Sequence, residues 1–458
     1  MENGILNRVN SLTQKDCHKA RMARDSRFDG RFYVAVKTTR IFCRPICPAN
    51  LPKEDNVEYY FDKAQALQAG YRPCLRCRPD SAPSSWAWKG VEVTFQRAIK
   101  LIEQGALQHS SLLELSERLG ISDRYLRKLF NQYLGMSPKQ YALYYQLMFA
   151  KQLLHTSSLS ITDVALASGF NSVRRFNDAF KQVIKLTPSQ VRKSASSNTE
   201  SNHIELAFRG PLDWQHMLAF YRLRAIQGLE TVSDESYQRY FEFDGKAGWF
   251  AISNPKPGIM RVTFSLADMS LLRSLVNQIR RMFDLDSDVL QIEVHLKAIE
   301  PLLVKRSGIR IPGVWSAWEA GVRAILGQQV SVKAAIGQLN LLVNTLQPEG
   351  VTHFPLPDEV AQADLSFLRM PQSRKETLTR FAHYMVEHAD EPVDNWLALK
   401  GIGPWTVNYA RLRGLSEPNC FLEGDLVVKK ALGNFTYLSA ENASPWGSYA
   451  TFHCWSHS

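Results

Sequence analysis

Four cysteines near the start of the chain have the spacing of a metal site. F-C-R-P-I-C-P carries Cys43 and Cys47, and R-P-C-L-R-C-R-P carries Cys74 and Cys77. Two close cysteine pairs on separate turns suit a closed, tetrahedral zinc site with four thiolate ligands. Two chemistries are open to it. It can be a structural knuckle. It can also be a nucleophile, because four thiolates on a zinc dication leave surplus negative charge, and a sulfur kept deprotonated at neutral pH can accept an alkyl group. Arg40, Arg44, Arg72, Arg76 and Arg78 crowd the same stretch and suit a phosphate backbone. A phosphate neutralised by methylation is the one an anionic thiolate approaches at low cost. Transfer of that methyl would leave a neutral thioether and remove one repulsive charge, so affinity for DNA should rise.

A second candidate lies near the other end. In F-L-E-G-D-L-V-V-K-K, Asp425 precedes a helical run. Its plain role is to cap that helix. It can equally be a carboxylate aimed at a sugar, where breaking a glycosidic C–N bond develops an oxocarbenium-like cation that a fixed carboxylate stabilises. The two roles are compatible. Upstream, L-A-L-K-G-I-G-P-W-T (Leu397–Thr406) sits between two helical segments. Gly401 and Gly403 leave the turn without side chains, so backbone N–H groups can point at a phosphate, and Pro404 starts the next helix. This is a helix-hairpin-helix signature, which grips duplex backbone without reading sequence.

The elements that must hold these groups fall into about three domains' worth of chain, and four segments separate on pattern. Residues 1–80 carry the cysteines, and Ser81–Lys89 reads as a linker. Residues 90–193 are helical and contain a degenerate repeat of about 50 residues. Its copies are L-S-E-R-L-G-I-S-D-R-Y-L-R-K-L-F and V-A-L-A-S-G-F-N-S-V-R-R-F-N-D-A-F. Each places a glycine (Gly120, Gly169) at a turn, then a cap residue, then a basic amphipathic helix: the outline of a helix-turn-helix. Arg124, Tyr125, Arg127, Ser172, Arg174 and Arg175 are the candidates for groove contact. Ser194–Asn202 is polar, without an apolar anchor, and reads as a flexible linker.

Residues 203–300 alternate short strand candidates with two amphipathic helices, an α+β layer with no obvious chemistry. Residues 301–458 are helical again. In them Trp315, Trp318, Val322 and Ile325 read as one core-facing helix face.

Charge divides the chain in the same place. Residues 1–200 hold 30 Lys+Arg against 17 Asp+Glu, net +13, and the remainder holds 25 against 27, net −2. The first half therefore suits a polyanion broadly, and the second must meet one through a local site. Seven cysteines with four in a metal pattern point to a reducing compartment, the cytoplasm. No apolar run approaches the ~20 residues of a membrane span, and no signal-peptide layout is present.

Three resemblances sharpen these readings. The stretch from Asp29-Gly30 through V-A-V-K-T-T-R-I-F-C-R-P-I-C and A-G-Y-R-P-C-L-R-C to Pro79 resembles the N-terminal domain of the Ada family of adaptive-response proteins. The resemblance implies one zinc ion held by Cys43, Cys47, Cys74 and Cys77. It also implies that Cys43 accepts a methyl group from a DNA methylphosphotriester and so activates transcription. Residues 91–193 resemble the AraC family of DNA-binding domains. From about His203 onward the chain resembles the AlkA-type DNA-3-methyladenine glycosylases of the helix-hairpin-helix superfamily, through A-I-L-G-Q-Q-V-S, G-I-G-P-W-T-V-N-Y, F-L-E-G-D-L and P-W-G-S-Y-A-T-F-H-C-W.

That last likeness implies Asp425 as the catalytic carboxylate and Trp405, Tyr409 and Trp455 as walls of a pocket for a flipped, alkylated purine. Lys400 replaces the usual proline before G-I-G. The segment between Asp425 and P-W-G is shorter than usual, and the chain stops three residues after Trp455. Trp405 stands where bifunctional relatives keep a Schiff-base lysine, so hydrolysis without lyase activity is expected. Neither Cys420 nor Cys454 lies in the P-C-H-R setting of Ada's C-terminal methyltransferase.

The expected architecture is multidomain and mainly α with α+β parts. It comprises a small zinc domain, an all-α double helix-turn-helix domain, an α+β subdomain and an all-α helix-hairpin-helix domain. The expected partners are double-stranded DNA, at alkylated and promoter sites, and RNA polymerase, for a monomer with no membrane association. The competing expectation is a methylation-activated transcription factor with an inert glycosylase-like domain.

Overall fold

Short alternating runs at the start of the chain form strands because every second residue finds an apolar neighbour on one face. In the computed structural model, which describes residues 12–25, 28–77, 79, 93–193, 203–243 and 245–457, these are β1 (Tyr33–Val36), β2 (Ile41–Cys43), β3 (Val57–Tyr60) and β4 (Arg72–Pro73). Their order is β3-β1-β2-β4, with β2 and β4 parallel and the other pairs antiparallel. Helix Gln14–Met22, with a Thr13–Asp16 capping box, contributes Cys17 and Ala20 to a small core with Phe32, Val34 and Val57. Both predicted linkers, Ser81–Lys89 and Ser194–Asn202, lie outside the described residues, as does Arg78.

The described residues divide into two compact units. One runs to Arg209 and includes Asp268–Asn277; the other comprises Gly210–Ala267 and Gln278 onward. In the first, the predicted repeat appears twice in nearly the same dress. Gly120 and Gly169 take φ of +69° and +81° at the turns, where a side chain would be strained. Ser122 and Ser172 cap the helices that follow, Asp123–Leu134 and Val173–Ile184. Each of those helices buries an apolar stripe, Leu126/Leu129/Phe130 in one and Phe176/Phe180/Ile184 in the other. β5 (His203–Ala207) and the segment Asp268–Asn277 belong to this unit. Gln152 Nε2 donates to Glu205 O at 3.3 Å, and the Arg273 guanidinium lies 4.5 Å from the Tyr145 ring centroid.

The second unit combines an antiparallel meander with helices. β6 (Glu230–Val232), β7 (Ser236–Phe243), β8 (Lys246–Lys256) and β9 (Ile259–Leu266) pair in sequence. β6 and helix Val289–Ile299 carry no clear sequence signal: three residues are too few to show alternation, and in the helix apolar residues are spread over both buried and exposed faces, which gives weak periodicity. Helix Ala317–Gly327 threads one core with Trp318, Val322 and Ile325, as expected. Trp315 departs from expectation. It precedes the Ser316 cap and stacks instead on Phe241 of β7, centroids 4.8 Å apart.

A buried ring of charges anchors this helix. Arg239 bonds Glu319 at 2.6 Å and Glu230 at 3.1 Å, while Arg323 bonds Glu319 at 2.8 Å and Glu230 at 2.9 Å. Burial opposes ionisation of Glu230, but Arg323 and Arg239 outweigh it and hold its pKa down at about 2. Among the described residues no helix is long and apolar enough to cross a membrane.

Candidate functional site

The cysteine cluster is assembled by backbone first. The parallel register of β2 and β4 sets Phe42 against Pro73, and Cys74 N–H donates to Phe42 O at 2.9 Å. The two cysteine pairs therefore converge, and their four Sγ atoms all lie within 4.8 Å of one another. Four sulfurs ~2.3 Å from a tetrahedral zinc would stand about 3.8 Å apart, so the donor set fits one such ion. Cys47, Cys74 and Cys77 are buried. Cys43 is half-buried and lines a cavity of about 470 Å³ together with Arg72 and Arg76.

Arg44 departs from its expected role facing phosphate. Its Nε donates to Asp29 Oδ1 at 2.7 Å and its Nη1 to Cys77 O at 3.2 Å. Its backbone N–H donates to Cys77 Sγ at 3.3 Å. This arginine serves the geometry of the cluster. Arg40 lies with its guanidinium 5.5 Å from the Tyr71 ring centroid.

On the helix-turn-helix repeat, Arg124, Arg127, Arg174 and Arg175 are all exposed. Ser122 Oγ accepts from Tyr125 N–H at 3.2 Å, and Ser172 Oγ from Arg175 N–H at 3.4 Å. These caps fix the first turn of each basic helix, where Arg124, Arg174 and Arg175 stand. Arg127 is partly engaged by Asp123 at 3.6 Å.

In the second unit the hairpin begins at Leu399–Ile402, a tight turn closed by Ile402 N–H to Leu399 O at 3.0 Å. Gly401 sits in it with φ +96°, and a Cβ there would collide with Thr377 Oγ1. Gly403 is different: open space surrounds it, and it caps the helix that Pro404 begins. Among the described residues neither glycine N–H meets a backbone acceptor. Lys400, in the place of the usual proline, offers its carbonyl to Arg380 Nη1 at 2.7 Å.

Asp425 is both a cap and a cavity residue. Its Oδ1 accepts from Val427 N–H at 2.9 Å and Val428 N–H at 3.2 Å, capping helix Leu426–Leu432. The same Oδ1 accepts from Trp455 Nε1 at 3.1 Å. Asp425 lines a cavity of about 630 Å³ that also receives Trp405, Tyr409 and Trp455. Trp405 and Tyr409, one helical turn apart, stack with centroids 5.3 Å apart. Trp455 stacks on Phe220 at 6.2 Å with planes 16° apart.

The cavity also receives three groups that sequence reasoning missed, Phe220, Arg224 and Arg413. Helix Trp214–Arg222 is amphipathic in sequence, and an aromatic in such a helix carries no mark that distinguishes a pocket wall from core. The Arg224 and Arg413 guanidiniums lie 3.8 Å and 4.7 Å from the Phe220 ring centroid. Arg413 Nη1 also donates to Tyr409 Oη at 3.1 Å.

Comparison with known proteins divides the chain along the same lines. Family models match the metal-binding domain of Ada over residues 16–80, a helix-turn-helix domain over 115–194 and the AlkA N-terminal domain over 203–316. With the sulfur geometry, the first match makes the four-cysteine cluster a site for one zinc ion. DNA-3-methyladenine glycosylase 2 of Escherichia coli (strain K12) is 32% identical over 273 residues, 55% of this chain and 95% of the relative. The bifunctional transcriptional activator/DNA repair enzyme Ada of the same strain is 30% identical over 187 residues, 41% of this chain and 51% of the relative. A probable bifunctional transcriptional activator/DNA repair enzyme AlkA of Mycobacterium tuberculosis (strain CDC 1551 / Oshkosh) is 32% identical over 474 residues. That alignment covers 96% of this chain and 95% of the relative, and so spans the zinc cluster, the paired helix-turn-helix and the aspartate cavity in one protein. The chain belongs to this family of bifunctional transcriptional activator/DNA repair enzymes of AlkA type.

Proposed function

We propose that this protein answers alkylation damage to DNA in two ways. Its second unit excises alkylated purines of the 3-methyladenine type from duplex DNA, and its first unit takes a methyl group from a DNA methylphosphotriester and thereby activates transcription. The observation that carries the excision reading is the division of labour on Asp425. One oxygen is spent on two backbone amides and the Trp455 indole, and the other has no hydrogen-bond partner among the described residues. A carboxylate so anchored is held toward the cavity at no cost in reorganisation when a cation develops at C1′.

In the reaction the C1′–N bond lengthens, Asp425 stabilises the growing charge, and water adds to C1′. Trp405, Tyr409 and Trp455 stack against the flipped base and exclude solvent. The N–H groups of Gly401 and Gly403 take a backbone phosphate. Among the described residues that line the cavity none is a lysine, which supports a hydrolytic excision.

Cys43 is the least buried sulfur of its cluster, in a cavity wall that also includes Cys47 and Cys74. When bound, zinc keeps the four sulfurs as thiolates. Cys43 Sγ attacks the methyl carbon, the C–O bond breaks, and the phosphate leaves as an ordinary diester. Arg72 and Arg76, beside Cys43, hold the phosphate. Arg124, Arg127, Arg174 and Arg175 meet promoter DNA, and the protein acts as a cytoplasmic monomer that engages RNA polymerase there.

Asp425→Asn tests the excision. Single-turnover release of 3-methyladenine from methylated duplex should fall on the order of 10²–10³-fold, with DNA affinity unchanged. Unchanged release would remove Asp425 from the chemistry, and wild-type protein that releases nothing would leave a transcription factor with an inert second unit.

A further inference from the structure

Resting on the methyl-acceptor reading, we propose that Arg209 is a positioning residue for the cysteine cluster, so that the acceptor site is completed by a residue that follows the helix-turn-helix region in sequence. Arg209 lies in the stretch matched by the AlkA N-terminal domain, and Asp29 in that matched by the metal-binding domain of Ada. Both belong to the first compact unit. Arg209 Nη2 donates to Asp29 O. The Asp29 carboxylate in turn receives Arg44 Nη2, and Arg44 Nε at 2.7 Å. Arg44 closes the series on the cluster, through Nη1 to Cys77 O at 3.2 Å and its backbone N–H to Cys77 Sγ at 3.3 Å.

Local structure does little to fix Asp29. It sits in a tight turn closed by Arg31 N–H to Phe28 O at 3.0 Å, ahead of Gly30 at φ +74°. β1 begins only at Tyr33, so Asp29 stands outside the strand ladder. Its place is therefore set by tertiary partners. Asp29 and Arg209 are both buried, where water cannot stand in for a lost partner. Without the Arg209 donor the turn can shift, and Arg44 shifts with it, because a guanidinium held by two N–H groups follows its carboxylate. Cys77 is the sulfur that Arg44 touches. Moving it disturbs the whole donor set, since one tetrahedral ion relates all four sulfurs to one another.

The segment that carries Arg209 has its own anchor. Helix Pro138–Thr156 bonds it through Gln152 Nε2 to Glu205 O at 3.3 Å. The same helix reaches the cysteine-bearing domain, where Tyr144 Oη donates to Gln68 Oε1 at 3.0 Å. Arg209 thus approaches Asp29 from a base that one helix ties to both.

The test compares full-length, zinc-loaded wild type with Arg209→Gln. Zinc affinity, read by competition with a chromophoric chelator, should fall about tenfold or more in R209Q, as expected on losing a group that orients a metal ligand. Methyl uptake from a methylphosphotriester duplex should slow with it. With cobalt in place of zinc, the thiolate-to-cobalt absorption bands should shift, while base excision stays unchanged. Arg44→Gln should equal or exceed the effect of R209Q, and combining the two should add little, because Arg209 acts through Arg44. Wild-type zinc affinity and cobalt bands in R209Q would overturn the proposal, as would fully additive losses in the double variant. Wild type that takes up no methyl would instead defeat the acceptor reading, and the zinc and cobalt measurements would still decide the role of Arg209. Should R209Q fail to fold, Arg209→Met, which keeps the stem and loses the donors, is read in the same way.

Discussion

The Cys43 cluster and the Asp425 cavity solve the problem of holding a reactive group in opposite ways. Around Cys43 the protein supplies little: four short strands, one of two residues, and a core of a few side chains. A region that small lacks the apolar burial to fix four sulfurs by itself, and the metal must complete it. Around Asp425 two large cores, a ring of buried charges and a capped helix all converge. The difference suits the chemistry proposed for each. An acceptor that is alkylated once need hold its geometry once; a carboxylate that turns over must return to the same place each cycle.

Metal removal should separate the two regions most widely. A strong chelator should unfold residues 12–79, since binding of structural zinc is worth ~10 kcal/mol or more, and methyl uptake should vanish while base excision persists. Parallel loss of both activities would break the contrast. The next effect belongs to the other region. Glu319→Gln leaves Arg239 and Arg323 facing a neutral partner in a dry setting, and should lower the stability of the second unit by about 3–5 kcal/mol, seen as an earlier melting step at unchanged zinc content. A melting curve that does not move would mean the charge ring is not what anchors helix Ala317–Gly327. The smallest effect refines the picture of the carboxylate. Trp455→Phe keeps the stack on Phe220 but deletes the Nε1 donor to Asp425, and should slow excision about tenfold, the worth of one charge-assisted hydrogen bond. An unchanged rate would show that the two backbone amides alone suffice.

What the sequence disclosed follows the range of the interactions. The cysteine spacing, the paired turns at Gly120 and Gly169, and G-I-G-P-W are local patterns, each fixed by backbone geometry within a few residues. They could be read directly, and Gly401 collides with Thr377 just where the pattern demands a glycine. The helix face Trp318–Val322–Ile325 was equally legible from its period. Phe220, Arg224 and Arg413 were not. Phe220 and Arg224 reach the Asp425 cavity from about 200 residues upstream and Arg413 from the turn after Tyr409, and nothing near Phe220 marks it as more than packing. Arg44 misled for a related reason: charge density in a stretch does not reveal that Asp29 has already claimed one of its cations.

The cap on helix Leu426–Leu432 carries a consequence for how this protein could fail. Asparagine caps a helix nearly as well as aspartate, and the single oxygen that receives both amides and the indole could be kept by either residue. A one-atom exchange at position 425 would therefore be invisible to folding, to metal content and to the grip on DNA. Such a molecule would still bind DNA and leave the damaged base in place. Only an assay of base release would tell it from the wild type.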